Sequence, residues 1–366
     1  MAISIGFDAR AAVLDPHRGL GRVAASLAEA LLGREDVVTT IFVPRSSHDI
    51  SGRWYRDAAR IVHLPQPRRG AFLWDGPAWR WVLRHHPVDV LHLPAWGVPP
   101  GVPLPVVATL HDVTPLRVPE SIRSRRVRRR AVQRLGTHHR ATLVHAVSRA
   151  TARDAVHVLG LPPDRIRVVH NGVALREARE ACGERRHVLF VGGADPHKRV
   201  DLLVRAWSLA EAAGLPPLVV AGGAARDPGV VEAARRHPDR IRAAGIVDDG
   251  ELEALYGGAL AVLLPSLWEG YGLPAAEGMA RGAVPVLTAR ASLPEAGRDA
   301  ALYLPAGAGP LEWLAAVRRL VEDRELRARL VERGLRRARE RTWERTADAL
   351  VEVYREAVSR SRSARS

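Results

Sequence analysis

Two short stretches carry side chains suited to holding a phosphate and a polyol. The first is VGGADPHKR, residues 191–199, where two glycines and a basic cluster follow the apolar run Val188–Val191 and precede a helical pattern from Val200. Glycines let a phosphate approach the backbone, a helix start offers N–H groups, and the Lys198 ammonium adds a compact charge. Lys198 is the one lysine among 55 basic residues. A chain that uses arginine everywhere else keeps a point charge on a flexible stem here, which a planar guanidinium does not replace. The plain alternative is a strand-turn-helix with a surface lysine.

The second stretch is LLPSLWEGYGLPAAEGMA, residues 263–280. An apolar run ends at Pro265, and a loop with Glu269, Gly270, Tyr271 and Gly272 leads to Leu273 and Pro274, the latter well suited to a first helical turn. The glycines leave room for backbone N–H groups to face a diphosphate. Glu269 and Glu277 are acceptors fit for the vicinal hydroxyls of a sugar or ribose. Glu277 taken alone also reads as a carboxylate favoured by the helix dipole.

Two further segments lie in the first half. In VVATLHDVTP, residues 106–115, His111 and Asp112 follow directly on an apolar run. Either suits a sugar hydroxyl, and a strand-end histidine also serves in capping or packing. HRGLGRVA, residues 17–24, fits G-x-G-x-x-A, but its glycines come twelve residues after the first strand ends near Phe7. A nicotinamide-binding turn follows its strand at once, so Gly19 and Gly21 read as a flexible loop meeting a ligand ahead of a helix Arg22–Leu32.

Parallel strands position these segments. Apolar runs at Ile3–Phe7, Val38–Val43, Ile61–Leu64, Val88–Leu93, Val106–Leu110, Leu143–Val147 and Ile166–Val169 form one set. Val188–Val191, Leu218–Ala221, Leu260–Leu264, Val284–Leu287 and Ala301–Leu304 form a second. Helical patterns such as Val200–Ala213, Glu251–Tyr256 and Leu311–Arg339 fall between or after them. Continuous apolar strands alternating with helices predict α/β architecture: two doubly wound parallel-sheet domains. The expected organisation is a first domain over 1–170, a polar hinge over 171–186, a second domain over 187–341, a helix over 342–358 and a disordered tail over 359–366. Ligands of such sheets sit beyond the strands' carboxyl ends, so the segments just after each strand are the ones to search.

The 366 residues are 47% apolar, enough for two cores, and the longest apolar candidate, Gly258–Leu267, is far short of a membrane span. MAISIGFDAR has no signal-peptide pattern, and the single cysteine, Cys182, permits no intrachain disulfide, so a reducing cytoplasm is the expected home. The formal charge of +15 suits phosphate-bearing partners. The arginines are scattered and no aromatic-plus-basic module appears, which argues against a nucleic-acid binder. No Asp-x-Asp or His/Cys set has metal spacing, so the reading requires no metal and no cofactor.

In this order, the four segments resemble the retaining glycosyltransferases of family 4, which adopt the GT-B fold of two Rossmann-like domains facing a cleft. IGFDAR, RGLGRVAASLAEAL, TLHDVTPL, AVSRATARD, RIRVVHNGV, VGGADPHKR and TWERTADALVEVY look like its mannosyltransferase-like branch, and EGYGLPAAE matches the family's E-x7-E element. The resemblance implies a hexose, by branch a mannose, moved from a nucleotide-diphosphate sugar to a saccharide or lipid-linked acceptor. It implies that Glu269 faces the donor sugar, Glu277 the ribose, the backbone of Gly270–Leu273 the sugar and phosphate, and Lys198 the leaving diphosphate. His111 would sit by the donor sugar, Gly19 to Gly21 would close on the phosphates, and the last helix would return to the first domain. Many relatives carry an Arg where this chain has Gly193, and His197 or Arg199 is the substitute charge. Phosphorylase and sugar-nucleotide epimerase chemistry are the neighbouring alternatives.

Weaker signals remain. RSRRVRRRAVQR, residues 123–134, is a basic amphipathic stretch fit either for anionic lipid at the inner membrane face or for solvent. Trp74, Trp79 and Trp81 suit core packing more than an acceptor groove. The pairs His85–His86 and His138–His139 lack partner ligands.

Overall fold

The computed structural model describes residues 2–16, 19–44, 60–64, 71–95, 97–122, 124–175 and 185–363. Cys182 and the middle of the expected hinge lie outside them. Contacts divide the chain into two units. Unit 1 holds Met1–Val113, Arg126–Gly172 and Trp343–Ser366; unit 2 holds Thr114–Arg125 and Val173–Thr342. The sequence puts all of 1–170 together, whereas Thr114–Arg125 makes its contacts with the second unit.

Unit 1 is built on β1 (Ile3–Asp8), β2 (Val37–Pro44), β3 (Arg60–Leu64), β4 (Val90–Leu93), β5 (Val106–Leu110), β6 (Leu143–Ala146) and β7 (Ile166–Val168). They form one parallel sheet in the order β3-β2-β1-β4-β5-β6-β7. All five residues of β5 and all four of β4 are buried, as expected of strands covered on both faces. The helix Trp343–Ser363 follows unit 2 in sequence and packs on the helix Gly19–Leu32 and on β4 and β5. Its buried stripe of Ala347, Leu350, Val351, Tyr354 and Ala357 has the spacing of one helix face.

Unit 2 is built on β8 (His187–Val191), β9 (Leu218–Ala221), β10 (Ile241–Gly245), β11 (Ala259–Leu264), β12 (Val284–Thr288) and β13 (Leu302–Leu304). Their order is β10-β9-β8-β11-β12-β13, again all parallel. Strand order reverses between β1 and β4 in unit 1 and between β8 and β11 in unit 2. Such switch points open a crevice at the carboxyl ends of the two strands.

The structure corrects several sequence expectations. β10 is an edge strand with only Ile241 buried, so its sequence IRAAG lacks an apolar run to announce it. The pattern Leu311–Arg339 is two helices, Pro310–Glu322 and Arg324–Arg339. Asp323 separates them, and its carboxylate accepts from Leu326 N–H at 2.8 Å. The helix from Val200 stops at Ser208. The stretch over 359–363, expected to be disordered, continues the last helix, with Arg360 bonded to Glu356 at 2.9 Å and to Asp164 at 3.1 Å. Gly19 and Gly21 are not in a loop but in the first turn of the helix Gly19–Leu32. A Cβ on Gly21 would lie 2.1 Å from the Asp15 carbonyl oxygen, so the missing side chain admits the short helix Arg10–Leu14 and its exit. Nothing lies within 4 Å of a Cβ on Gly19.

Candidate active site

At the unit 2 switch point, the loops after β8 and β11 bring two predicted side chains together. After β8 the chain passes Gly192 and Gly193 into a 3-10 turn, Pro196–Lys198, closed by Lys198 N–H on the Asp195 carbonyl at 2.9 Å. Arg199 then takes a left-handed conformation, φ 53°, and the helix Val200–Ser208 begins. After β11, Leu267 N–H donates to the His197 carbonyl at 2.8 Å, locking one loop to the other. The result is a two-pronged contact: Lys198 Nζ donates to Glu269 Oε1 at 2.6 Å and to Oε2 at 2.8 Å. The side chains keep 24% and 10% of their surface exposed, so the pair is sheltered yet open to a ligand.

The glycine-flanked loop then turns sharply. Gly272 stands at φ 93°, where a Cβ would also come within 2.9 Å of Leu293, and caps the helix Leu273–Ala280 with Pro274 in its first turn. Tyr271 is buried, and burial pushes its phenol above the ordinary range. Its side chain therefore serves packing, while the loop backbone remains the part suited to a diphosphate. Glu277, one turn into the helix, accepts from the Tyr256 hydroxyl at 2.6 Å. Arg199 donates to the Ala306 carbonyl at 2.7 Å, so its guanidinium braces the loop after β13. Gly193 lies beside Asp195, whose Oδ2 would be 2.6 Å from a Cβ there.

Sequence reasoning missed several neighbours. Ser292 Oγ donates to the Glu269 carbonyl at 2.8 Å and fixes that backbone. Its context, Ser-Leu-Pro-Glu, reads as a helix cap, yet the hydroxyl makes no cap bond. Trp268, next to Glu269, has the Arg117 and Arg290 guanidiniums 5.4 and 5.7 Å from its ring centroid. Tyr256 offered no signal, because its partnership with Glu277 depends on how two helices meet.

Unit 1 carries the other predicted groups. His111 leaves the end of β5 and donates through Nε2 to the Pro94 carbonyl at 2.6 Å. Burial, the largest influence, lowers its pKa despite that carbonyl. The ring is therefore neutral near pH 7, with its lone pair on Nδ1. At the switch point Asp8 ends β1 in a buried ion pair with Arg10, Nη2 to Oδ2 2.7 Å, and Arg10 also reaches Asp75 at 3.0 Å. The two carboxylates raise the Arg10 pKa although burial, the largest single influence, opposes this. Of the tryptophans, Trp79 is buried edge-on to Phe42, Trp81 is exposed, and the Trp74 side chain lies outside the described residues. His138 is buried and His85 and His139 face backbone carbonyls. No group of three or more His, Cys, Asp or Glu among the described residues is arranged to hold a metal, and no described helix is long and apolar enough to cross a membrane.

Comparison with known proteins gives a consistent pattern. Residues 17–177 match the family model Glycosyltransferase Family 4 and residues 174–337 match Glycosyl transferases group 1. D-inositol 3-phosphate glycosyltransferase of Salinispora tropica is 32% identical over 248 residues, 60% of this chain and 52% of the relative. The chain thus spans about half that relative's length. O-antigen chain mannosyltransferase B of Escherichia coli is 26% identical over 317 residues, 82% of this chain and 79% of the relative. Among solved structures, HepE of Anabaena in complex with UDP and glucose aligns with a TM-score of 0.72 at 16% identity, over 97% of this chain and 100% of the other. Sucrose-phosphate synthase of Thermosynechococcus elongatus aligns with a TM-score of 0.75 at 18% identity, over 98% and 99%. At those identities the likeness to both structures is one of fold.

Proposed function

Because the chain belongs to glycosyltransferase family 4, we propose that it moves a hexose from a nucleotide-diphosphate sugar to a saccharide or lipid-linked acceptor, with retention and without a metal. The carrying observation is the Lys198–Glu269 pair at the switch point of unit 2. The bond that breaks joins the anomeric carbon to a diphosphate oxygen. Positive charge grows on the sugar ring and negative charge on that oxygen. Lys198 meets the negative oxygen, aided by N–H groups at the start of the helix Leu273–Ala280. Glu269, released from the ammonium, accepts from sugar hydroxyls; Glu277 takes the ribose hydroxyls in place of Tyr256. The acceptor hydroxyl attacks from the face the leaving group departs and passes its proton to the departing diphosphate oxygen, which gives retention without a covalent nucleophile. His111 faces the donor sugar with its Nδ1 lone pair.

Mannose is the favoured sugar, on the strength of the E. coli relative's name, and UDP stands beside GDP as the nucleotide because the Anabaena structure holds UDP and glucose. The helix Arg125–Gly136, with no buried residue, would meet anionic lipid if the acceptor is lipid-linked. The test is a thermal-shift screen against UDP-, GDP- and ADP-sugars, followed by nucleotide release with a saccharide acceptor. One nucleotide sugar should raise the melting temperature and yield free nucleoside diphosphate plus an α-linked product. Release of sugar phosphate, or no shift with any donor, would overturn the reading.

A further inference from the structure

A row of buried polar side chains crosses unit 1 beneath His111, from the C-terminal helix to the end of β7. Tyr354 Oη lies 2.7 Å from His92 Nδ1, His92 Nε2 2.8 Å from Thr109 Oγ1, Thr109 Oγ1 3.0 Å from His145 Nδ1, and His145 Nε2 2.7 Å from the Val169 carbonyl. All four side chains are buried. Burial, the chief cause, pushes both imidazoles well below their ordinary range, His145 to about 4. Both rings are neutral near pH 7, and a neutral imidazole has one N–H and one lone pair.

The far end of the row then determines every member. The Val169 carbonyl only accepts, so His145 carries its proton on Nε2 and accepts at Nδ1. Thr109 must donate to His145, and its oxygen accepts from His92 Nε2–H. His92 accepts at Nδ1, and Tyr354 donates. One carbonyl thus sets the direction of four hydrogen bonds and the tautomers of two rings.

The row braces β4 against β5 where their own ladder gives out. Pairing runs Leu91↔Val106, His92↔Val107 and Leu93↔Ala108. The residue that follows β4 is Pro94, which has no N–H to offer. Two side-chain bonds continue the connection: His92 to Thr109, and His111 Nε2–H to the Pro94 carbonyl. We propose that Tyr354 is a positioning residue for His111. Its hydroxyl fixes His92, His92 fixes Thr109, and the strand spacing this sets delivers the Pro94 carbonyl that holds the His111 ring. The proposal rests on the reading of His111 as the group facing the donor sugar.

The experiment combines nitrogen-15 NMR of the histidine rings with kinetics of Tyr354→Phe, Thr109→Val and Thr109→Ser. In the wild type at pH 7.5, His92 and His145 should both appear as neutral Nε2–H tautomers. Tyr354→Phe should shift the His111 resonances and lower kcat about tenfold with the donor KM unchanged, as small misplacements do. Thr109→Val should do the same, while Thr109→Ser, which keeps the hydroxyl, should restore turnover. In a His111→Ala background Tyr354→Phe should cost nothing more. Unmoved His111 resonances, or the same loss with His111 already gone, would overturn the proposal. Should Tyr354→Phe fail to fold, Thr109→Val carries the same comparison. A wild type that turns over no nucleotide sugar, while its His111 resonances still respond to Tyr354→Phe, defeats the glycosyl-transfer reading and leaves the positioning intact.

Discussion

At the scale of single residues, the site turns on an ammonium and a carboxylate that hold each other. Each is the other's placeholder: Lys198 keeps Glu269 ordered for sugar hydroxyls, and Glu269 keeps Lys198 aimed at the crevice. Removing either should cost catalysis and also some stability, because the partner is left unpaired with only 24% or 10% of its side-chain surface exposed. Lys198→Ala and Glu269→Gln should each lower kcat about 10²- to 10³-fold, with a cooperative thermal transition retained. Nucleotide release and a thermal melt on the same samples measure both. Near-normal turnover in both variants would remove the pair from the chemistry. Lys198 was visible in the sequence through its rarity, and Glu269 through the glycines and proline around it. Their contact was not visible, because it needs β8 and β11 to be neighbours although two strands intervene in sequence. Ser292 and Tyr256 were hidden because their bonds to Glu269 and Glu277 depend on how neighbouring loops and helices meet.

Elements tell a similar story about what a linear pattern reveals. The central strands were legible because burial on both faces demands unbroken apolar runs, as in β5 and β11. The edge strand β10 escaped because one face and one edge stay polar. Gly19 and Gly21 misled because glycine is a poor helix former, so two of them read as a loop. Their environments within one helix now separate them. Gly21→Ala should destabilise by about 1–3 kcal/mol, because a methyl group cannot share space with the Asp15 carbonyl. Gly19→Ala meets nothing and should stabilise by about 0.5–1 kcal/mol through backbone entropy. Urea unfolding of the two variants decides it, and equal effects would mean that this turn is not helical. Donor affinity of Gly19→Ala, measured alongside, shows whether the turn still meets the phosphates.

On the scale of the whole molecule, the buried histidines of unit 1 set a limit in acid. His92 and His145 have folded-state pKa values below the ordinary 6.5, so below that pH the unfolded chain takes up protons that the folded chain refuses. Their contribution is complete above about pH 6.5, declines as the pH falls, and is exhausted near the folded pKa. For His145 alone, the drop from 6.5 to about 4 corresponds to about 3 kcal/mol. Unfolding midpoints should therefore fall already between about pH 6.5 and 5, before carboxylates titrate. His145→Gln should flatten that slope, and a midpoint constant across this interval would refute the account.

The order of segments along the chain has one more consequence. Unit 1 is begun by the first residues and finished by Trp343–Ser363, with nearly all of unit 2 made in between. On the ribosome, the apolar seat for that helix stays bare until residues 343–363 are made, while unit 2 already has all its strands. A premature stop or a protease cut inside those 21 residues would thus injure the half of the molecule that was translated first. Nascent chains halted there should be the ones that chaperones retain.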